Sequence, residues 1–527
     1  MEKTNQGEKS GSLVAGAAWI MFAKLMALAF NIALPFLVVR KLSQSNFGLY
    51  KQAFLVVSTS IAMLPLGFSM TAFYFLPRER ENRAAIVSNI LIFNVAVGAL
   101  ALAFMLFFPQ LLAELLVNDQ AAAQDPQVRA RIVALAPLIG AVILTWLVSA
   151  FLELIAVANQ ETKLAAVIII VAQFTKSLLL LGATIVFGTV RSLLVAALIQ
   201  GVIQTAILLR YLHGRFPGFW RSPDRRLMKR QLVYALPYGI SSLIWTLQTD
   251  IHSYFVSHHF GQAGFAVYAV GVFQLPLVGI LTESAASVMI PRVSYLQSIG
   301  DRREIIRIIT GAMRGLAIAI FPLYAVLVVM REEFIVALFT RTYAASVPIF
   351  LINLTLLPFS ITLLDAIARA YIEIGRFITR MRVTFFVVLA AGLWLAVRSG
   401  DLRLVAATVI GVYVTEHLLM FYQSSRVLGA RRQDIRLLGD VAKVAVAAAA
   451  AALVTLGARW LLLSYEMKPL VLLMIGGLLF GLVYLGALLW LRVVTDEEWG
   501  LVRIKLEALR GRLPLPLRGR LQGPSQA

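Results

Sequence analysis

Apolar residues recur along the chain in runs of about 18 or more, each long enough to cross the ~30 Å hydrocarbon core of a bilayer as a helix. Short polar or basic stretches separate the runs. The pattern predicts helices at 13–39, 52–76, 84–108, 132–157, 164–187, 192–211, 232–257, 265–290, 305–330, 347–371, 383–397, 404–422, 441–463 and 470–491, about fourteen spans in all. A membrane β-barrel alternates polar and apolar residues along each strand, and this chain does not. The expected fold is therefore all-α and polytopic, two pseudo-symmetric six-helix lobes around a central cavity plus two extra C-terminal helices.

Composition agrees. Of 527 residues, 60% are apolar and 14% charged, too few charges for the surface of a water-soluble protein this long. The absence of cysteine excludes disulfides, thiolate metal sites and cysteine nucleophiles. The first apolar run is too long for the h-region of a cleavable signal, so none is expected behind the polar stretch 1–12. A net charge of +21 would suit nucleic acid, but it lies in loops beside apolar helices, where it reads as topology, so no nucleic-acid partner is expected. The N-terminus, even-numbered loops and tail hold about 32 Lys and Arg, the odd loops about 11. By the positive-inside rule both termini are cytoplasmic, as expected of a multi-pass protein of the plasma (inner) membrane.

The stretch Arg40-Lys-Leu-Ser-Gln-Ser-Asn-Phe-Gly-Leu-Tyr50 has an echo at His259-Phe-Gly-Gln-Ala-Gly-Phe-Ala-Val-Tyr268, with Gln44, Phe47 and Tyr50 falling on Gln262, Phe265 and Tyr268. Each copy links two apolar runs on the outer side, which suggests duplicated, parallel halves. Aromatics and Gly also recur at membrane boundaries without any duplication. The expected division is 13–211 for the N-lobe, 212–231 for a basic cytoplasmic linker, 232–422 for the C-lobe, 423–491 for the extra pair, and 492–527 for a tail with an amphipathic helix from Thr495. The linker, with Arg215, Arg221, Arg225, Arg226, Lys229 and Arg230, suits anionic headgroups or serves only as a topology anchor. Ala445 to Ala452 suits close helix packing.

Ionisable residues at hydrocarbon depth cost at least about 2.5–3.5 kcal/mol each on insertion scales, so they carry the sharpest functional signal. In the first half these are Lys24, Glu153 and Lys176; in the second, Asp250, Glu283, Arg314, Asp365, Arg369 and Glu416. Ser242, Thr246, Thr249 and Ser253 form one polar stripe beside Gln248 and Asp250; Thr355, Thr362, Asp365 and Arg369 form another. Lys24 shares a side with Asn31, and Gln173 neighbours Lys176. Such stripes fit a hydrophilic cavity between two lobes. The plainer readings are that Asp365 and Arg369 neutralise each other and that Glu153, Arg314 and Glu416 snorkel from helix ends. Pro65 and Pro276 fall inside spans, as hinges or as tolerated kinks. There is no Walker A sequence, and His252, His258 and His259 lack the carboxylates that would complete a metal site. Neither metal nor cofactor is expected beyond a coupling H⁺ or Na⁺.

Arg40-x-Leu-x(4)-Phe47-Gly48-x-Tyr50 resembles the polysaccharide transporter family, the Wzx-like oligosaccharide flippases, of the superfamily that also holds MATE exporters and the lipid II flippase MurJ. The resemblance in topology covers nearly the whole chain. It implies two six-helix bundles around a V-shaped cavity, and transfer of a polyprenyl-pyrophosphate-linked oligosaccharide from the inner to the outer leaflet, with a basic lumen for the pyrophosphate. On that reading Lys24, Asn31, Lys176, Arg314 and Arg369 would hold substrate, and Asp250, Glu283 or Asp365 would carry the coupling ion. A polysaccharide polymerase and export machinery are expected partners. Two alternatives stand beside it: a cation-coupled MATE-like multidrug exporter, and a membrane polymerase or ligase of lipid-linked glycans. The outer loop 109–131, with only Glu114, Asp119 and Asp125, gives catalysis thin support.

Overall fold

A computed structural model describes Met26, residues 34–462 and residues 467–493; the side chains of Gln124, Asp365, Ala366, Arg369, Ile372 and Ile435 are not described. The principal helices are α1 (Gln44–Met63), α2 (Thr71–Arg78), α3 (Arg83–Phe107), α4 (Val128–Ser149), α5 (Phe151–Ala158), α6 (Thr162–Val186), α7 (Val190–Arg215) and α8 (Arg225–Gly271). They continue as α9 (Pro276–Ser298), α10 (Arg302–Val329), α11 (Val347–Leu354), α12 (Leu364–Ala370), α13 (Ile372–Ala396), α14 (Leu402–Val427), α15 (Gly439–Leu462) and α16 (Pro469–Trp490).

Among the described residues, eleven helices are long and apolar enough to cross a membrane, or twelve if the bent pair 44–63 and 68–78 is one span. This count covers the described residues alone, against about fourteen spans expected for the whole chain. The first expected span, 13–39, lies largely outside the described residues. The seventh, 232–257, is helical within α8 but does not reach the apolar threshold, because its serines, threonines, Gln248 and Asp250 dilute it. The amphipathic tail helix from Thr495 lies outside the described residues.

Proline explains where three spans break. Pro65 sits between α1 and the helical turn at Phe68–Met70, in a bend of 46°. Leu66 and Gly67 there take φ of 46° and 69°, so glycine is the natural occupant of the second position. Pro276 opens α9 after a break at 272–275. The span expected at 347–371 is also discontinuous. Around Pro358 it divides into α11, a 3₁₀ turn at Leu357–Ile361 and α12, so its polar stripe does not lie on one helix.

The chain forms two compact units. The first holds residues up to 280, 334–356 and 367–424; the second holds 281–333, 357–366 and the remainder. The first unit has two apolar cores. One gathers Phe68, Phe75, Ile90, Phe151, Leu208, Phe216 and Leu227; the other gathers Val256, Phe265, Tyr268, Ile349, Leu389, Leu393 and Val405. α8 supplies residues to both. It is capped by Asp224, whose carboxylate accepts from Arg226 N and Leu227 N at 2.7 and 3.1 Å, and it is kinked at Gly261, where φ is 66°. α6 and α13 are both 25 residues long, α7 and α14 both 26, so the fifth and sixth helices of each half match in length.

In the second unit α15 and α16 pack together and onto α10. Ala447, Ala448 and Ala451 are buried, as the alanine run requires, and Met330 fills the space above Gly476. Arg459 donates to Glu333 at 2.7 Å, so charge inside this unit is paired.

The two copies of the repeated stretch meet face to face. Ser45 Oγ donates to Gln262 Oε1 at 2.7 Å, and a Cβ on Gly48 would stand 1.9 Å from the Gln262 carbonyl oxygen. Only glycine permits this approach. Phe47 is fully buried, edge-on to Tyr343 with centroids 5.7 Å apart, and Arg40 donates to the carbonyls of Ala337 and Leu338 at 2.5 and 3.0 Å. Gly48→Ala is expected to cost about 1–3 kcal/mol by overpacking, read as a lower melting temperature in detergent, whereas Gly214→Ala, with open space around it, should leave melting unchanged.

Candidate functional site

α1 and α8 run together and build the site. Near one end stands the Gly48–Gln262 contact. Near the other, a Cβ on Gly239 would lie 2.2 Å from the Leu66 carbonyl oxygen, so a second glycine admits the bend of the first helix. Between them Thr59 Oγ1 donates to Asp250 Oδ2 at 2.6 Å. The other carboxylate oxygen has no hydrogen bond among the described residues. Asp250 borders a cavity of about 590 Å³, walled by Met63, Leu115, Leu247, Ile251, Tyr254 and Phe255, with His258 and His259 at its edge. A carboxylate against such apolar walls requires a cation or a proton.

Beside it, α8 reaches α14. Gln248 Nε2 donates to Glu416 at 2.6 Å, and Tyr413 Oη donates to the Gln248 carbonyl at 2.9 Å. Glu416 is 5% exposed. The snorkelling assigned to Glu416 on sequence is therefore corrected: its position near a helix end placed it in a core, not at the headgroups. Gln248 and Glu416 were the polar pair that sequence reasoning did not join. Two polar residues on separate helices give no spacing signal; only their burial links them.

Lys176 occupies a second cavity, of about 220 Å³, enclosed by α4, α6 and α7. Its Nζ lies 4.7 Å above the Trp146 ring, and Glu153, Gln173, Gln200 and Gln204 share the lining. Gln204 Nε2 and Gln173 Oε1 are buried without a protein hydrogen bond. This small polar pocket sits within the bundle of first-half helices.

The remaining expected site residues separate. Lys24 and Asn31 lie outside the described residues, as do the side chains of Asp365 and Arg369. Arg314, in the second unit, donates to the Val493 carbonyl at 2.8 Å and so holds the end of the last helix. Glu283 is exposed on α9. Of the polar stripe, Thr246 is buried and Ser242 exposed, while Thr249 bonds back to the Trp245 carbonyl at 2.9 Å. No group of three metal-ligating side chains occurs among the described residues.

Gln248→Leu should leave the Glu416 carboxyl without its donor at a cost of about 1–3 kcal/mol, with the paired Gln248→Leu/Glu416→Leu variant restoring much of the loss. Thermal melting of the three purified proteins checks this. An additive double variant would show that the two side chains are not coupled.

The sequence matches the family model described as polysaccharide biosynthesis protein over residues 37–348. A curated relative, the probable lipid II flippase MurJ of Rhizobium meliloti (strain 1021), is 30% identical over 146 residues; the match spans 27% of this chain and 27% of that relative's length. Among solved structures, the lipid II flippase MurJ in an inward closed conformation superposes with a TM-score of 0.67 at 14% identity, covering 91% of this chain and 99% of that one. An inward-facing multidrug resistance MATE transporter of the MOP superfamily gives 0.59 at 16% identity, covering 77% and 95%. At those identities the structures establish the fold, an all-helical, multi-pass one. The family model covers more than half of the sequence, and the chain belongs to the polysaccharide biosynthesis protein family.

Proposed function

We propose that this protein is a flippase that carries a polyprenyl-pyrophosphate-linked oligosaccharide from the cytoplasmic to the outer leaflet of the plasma (inner) membrane by alternating access, for export of surface polysaccharide. Family membership over residues 37–348 carries the reading. Three structural features support it. The repeated stretches meet at one end of the α1–α8 pair through a close backbone approach and a single side-chain hydrogen bond, a contact that two rigid helices can make or release. A cationic side chain, Lys176, is held inside the membrane-spanning bundle, where a cation attracts phosphate strongly. Asp250 faces a cavity with one oxygen uncommitted, a position for the coupling H⁺ or Na⁺. In this reading Lys24 and Lys176, with Arg369, take the pyrophosphate; a polymerase and export machinery receive the product.

The cavity at Asp250, one acid among apolar walls, favours as a second reading a MATE-like exporter of hydrophobic cations. The two are separated in proteoliposomes. A labelled lipid-linked oligosaccharide should cross the bilayer with wild-type protein, and Lys24→Ala/Lys176→Ala should lower the rate at least about tenfold at equal protein level. Asp250→Asn should remove its dependence on an imposed proton or Na⁺ gradient. Transport of ethidium without movement of the lipid-linked sugar would establish the exporter instead.

A further inference from the structure

The half of α8 before Asp250 carries a run of rings that starts at Tyr234, packed at the margin of one core, and continues to Tyr238 and Trp245, which stay exposed. Tyr234, Tyr238, Ser241 and Trp245 stand at i, i+4, i+7 and i+11, on one face over about 16 Å of helix. Tyr238 is 65% exposed and Trp245 50%, values that set them apart from the fully buried Tyr268 on the same helix. α2 adds Tyr74, whose ring centroid is 4.4 Å from that of Tyr234 at an interplanar angle of 30°; Tyr234 and Tyr238 are 5.8 Å apart. Tyr74, Tyr234 and Tyr238 thus form a chain of ring contacts, and Trp245 follows two turns further along the same face of α8.

An arginine stands at each end. The Arg78 guanidinium lies 3.9 Å from the Tyr74 centroid, and the Arg382 guanidinium, on α13, lies 4.6 Å from Trp245. Among the described residues neither makes an ion pair, whereas neighbouring Arg230 is taken by Glu79 at 2.6 Å. Arg382 Nε is buried without a hydrogen bond. Each guanidinium is thus oriented by a ring and keeps N–H donors for an anion, the arrangement that suits phosphate.

Pyranose rings present a C–H face that stacks on aromatic rings and an edge of hydroxyls that bonds to polar groups; phosphates need fixed guanidinium donors. We propose that the Tyr74–Tyr234–Tyr238–Trp245 line, bracketed by Arg78 and Arg382, is the track that binds the phosphorylated saccharide headgroup along α8. This rests on the flippase reading and deepens it by naming the surface that reads sugar as distinct from lipid. The rings take the saccharide, and the arginines take the phosphates at either end of the passage.

The competing occupant is the lipid bilayer itself, since tyrosines, tryptophans and arginines also anchor helices at headgroup depth. The test is equilibrium binding to the full chain in nanodiscs with two probes, farnesyl-pyrophosphate-linked N-acetylglucosamine and farnesyl pyrophosphate. Wild type is expected to bind the sugar-bearing probe about tenfold more tightly than the bare one. Tyr238→Ala/Trp245→Ala should erase that difference, Tyr238→Phe/Trp245→Phe should keep it, and Arg78→Gln should weaken both probes alike. An alanine pair that binds as wild type does, or a wild type that does not distinguish the probes, would overturn the track and leave the flippase reading standing. A wild type that binds neither probe would remove both.

Discussion

The pairing of α1 with α8 is the constraint on which the first unit depends. Its contacts answer two physical demands, close backbone approach and satisfaction of polar groups. At Gly48 and Gly239 the backbones approach until no β-carbon fits, so steric closeness does the holding. At Thr59 and Asp250 a hydroxyl satisfies half of a carboxylate that could not otherwise stand among apolar side chains. Without hydrophobic driving force between helices inside a bilayer, small residues and polar bonds are what can hold such a pair. Neither kind of contact is strong alone, so the pair is held by their combination.

Further polar bonds reinforce the pair and join it to its neighbours. Gln52 Nε2 donates to Ser257 Oγ at 2.9 Å, and Ser257 donates to the Leu116 carbonyl at 2.9 Å, so the helix Pro109–Leu116 is tied to the same seam. Asn89 donates to the Asp224 carbonyl at 3.0 Å and receives the Asp224 N–H at 3.1 Å, which fixes the start of α8 against α3. These side chains are uncharged and buried, and each makes at least one hydrogen bond to another of the set or to the backbone, the condition under which polar groups are tolerated in a core.

Much of the fold was legible because its signal is local. Apolar run length located the helices, and proline located the bends at 65 and 276. The seventh expected span has a weak apolar signal for a physical reason: α8 carries enough Ser, Thr, Gln and Asp there to dilute its hydropathy while remaining helical. The repeat was visible as Gln44, Phe47 and Tyr50 echoed by Gln262, Phe265 and Tyr268, but not that the copies touch. The Gly48–Gln262 approach depends on two helices separated by over 200 residues, and no periodicity encodes it. Likewise Asp250 and Lys176 stood out as misplaced charges, whereas Glu416 was set aside for lying near a helix end, a one-dimensional measure of depth that the packing of α14 against α8 overrules.

The kink at Gly261 has a mechanical side. α8 places Leu227 and Ala235 in one apolar core of the first unit and Val256, Phe265 and Tyr268 in the other. The positive φ at Gly261 falls inside the second core, between Val256 and Phe265, at a residue whose missing side chain permits the turn. The joint thus redirects the chain within that core, so that the segments on either side of one elbow pack against the same apolar neighbours.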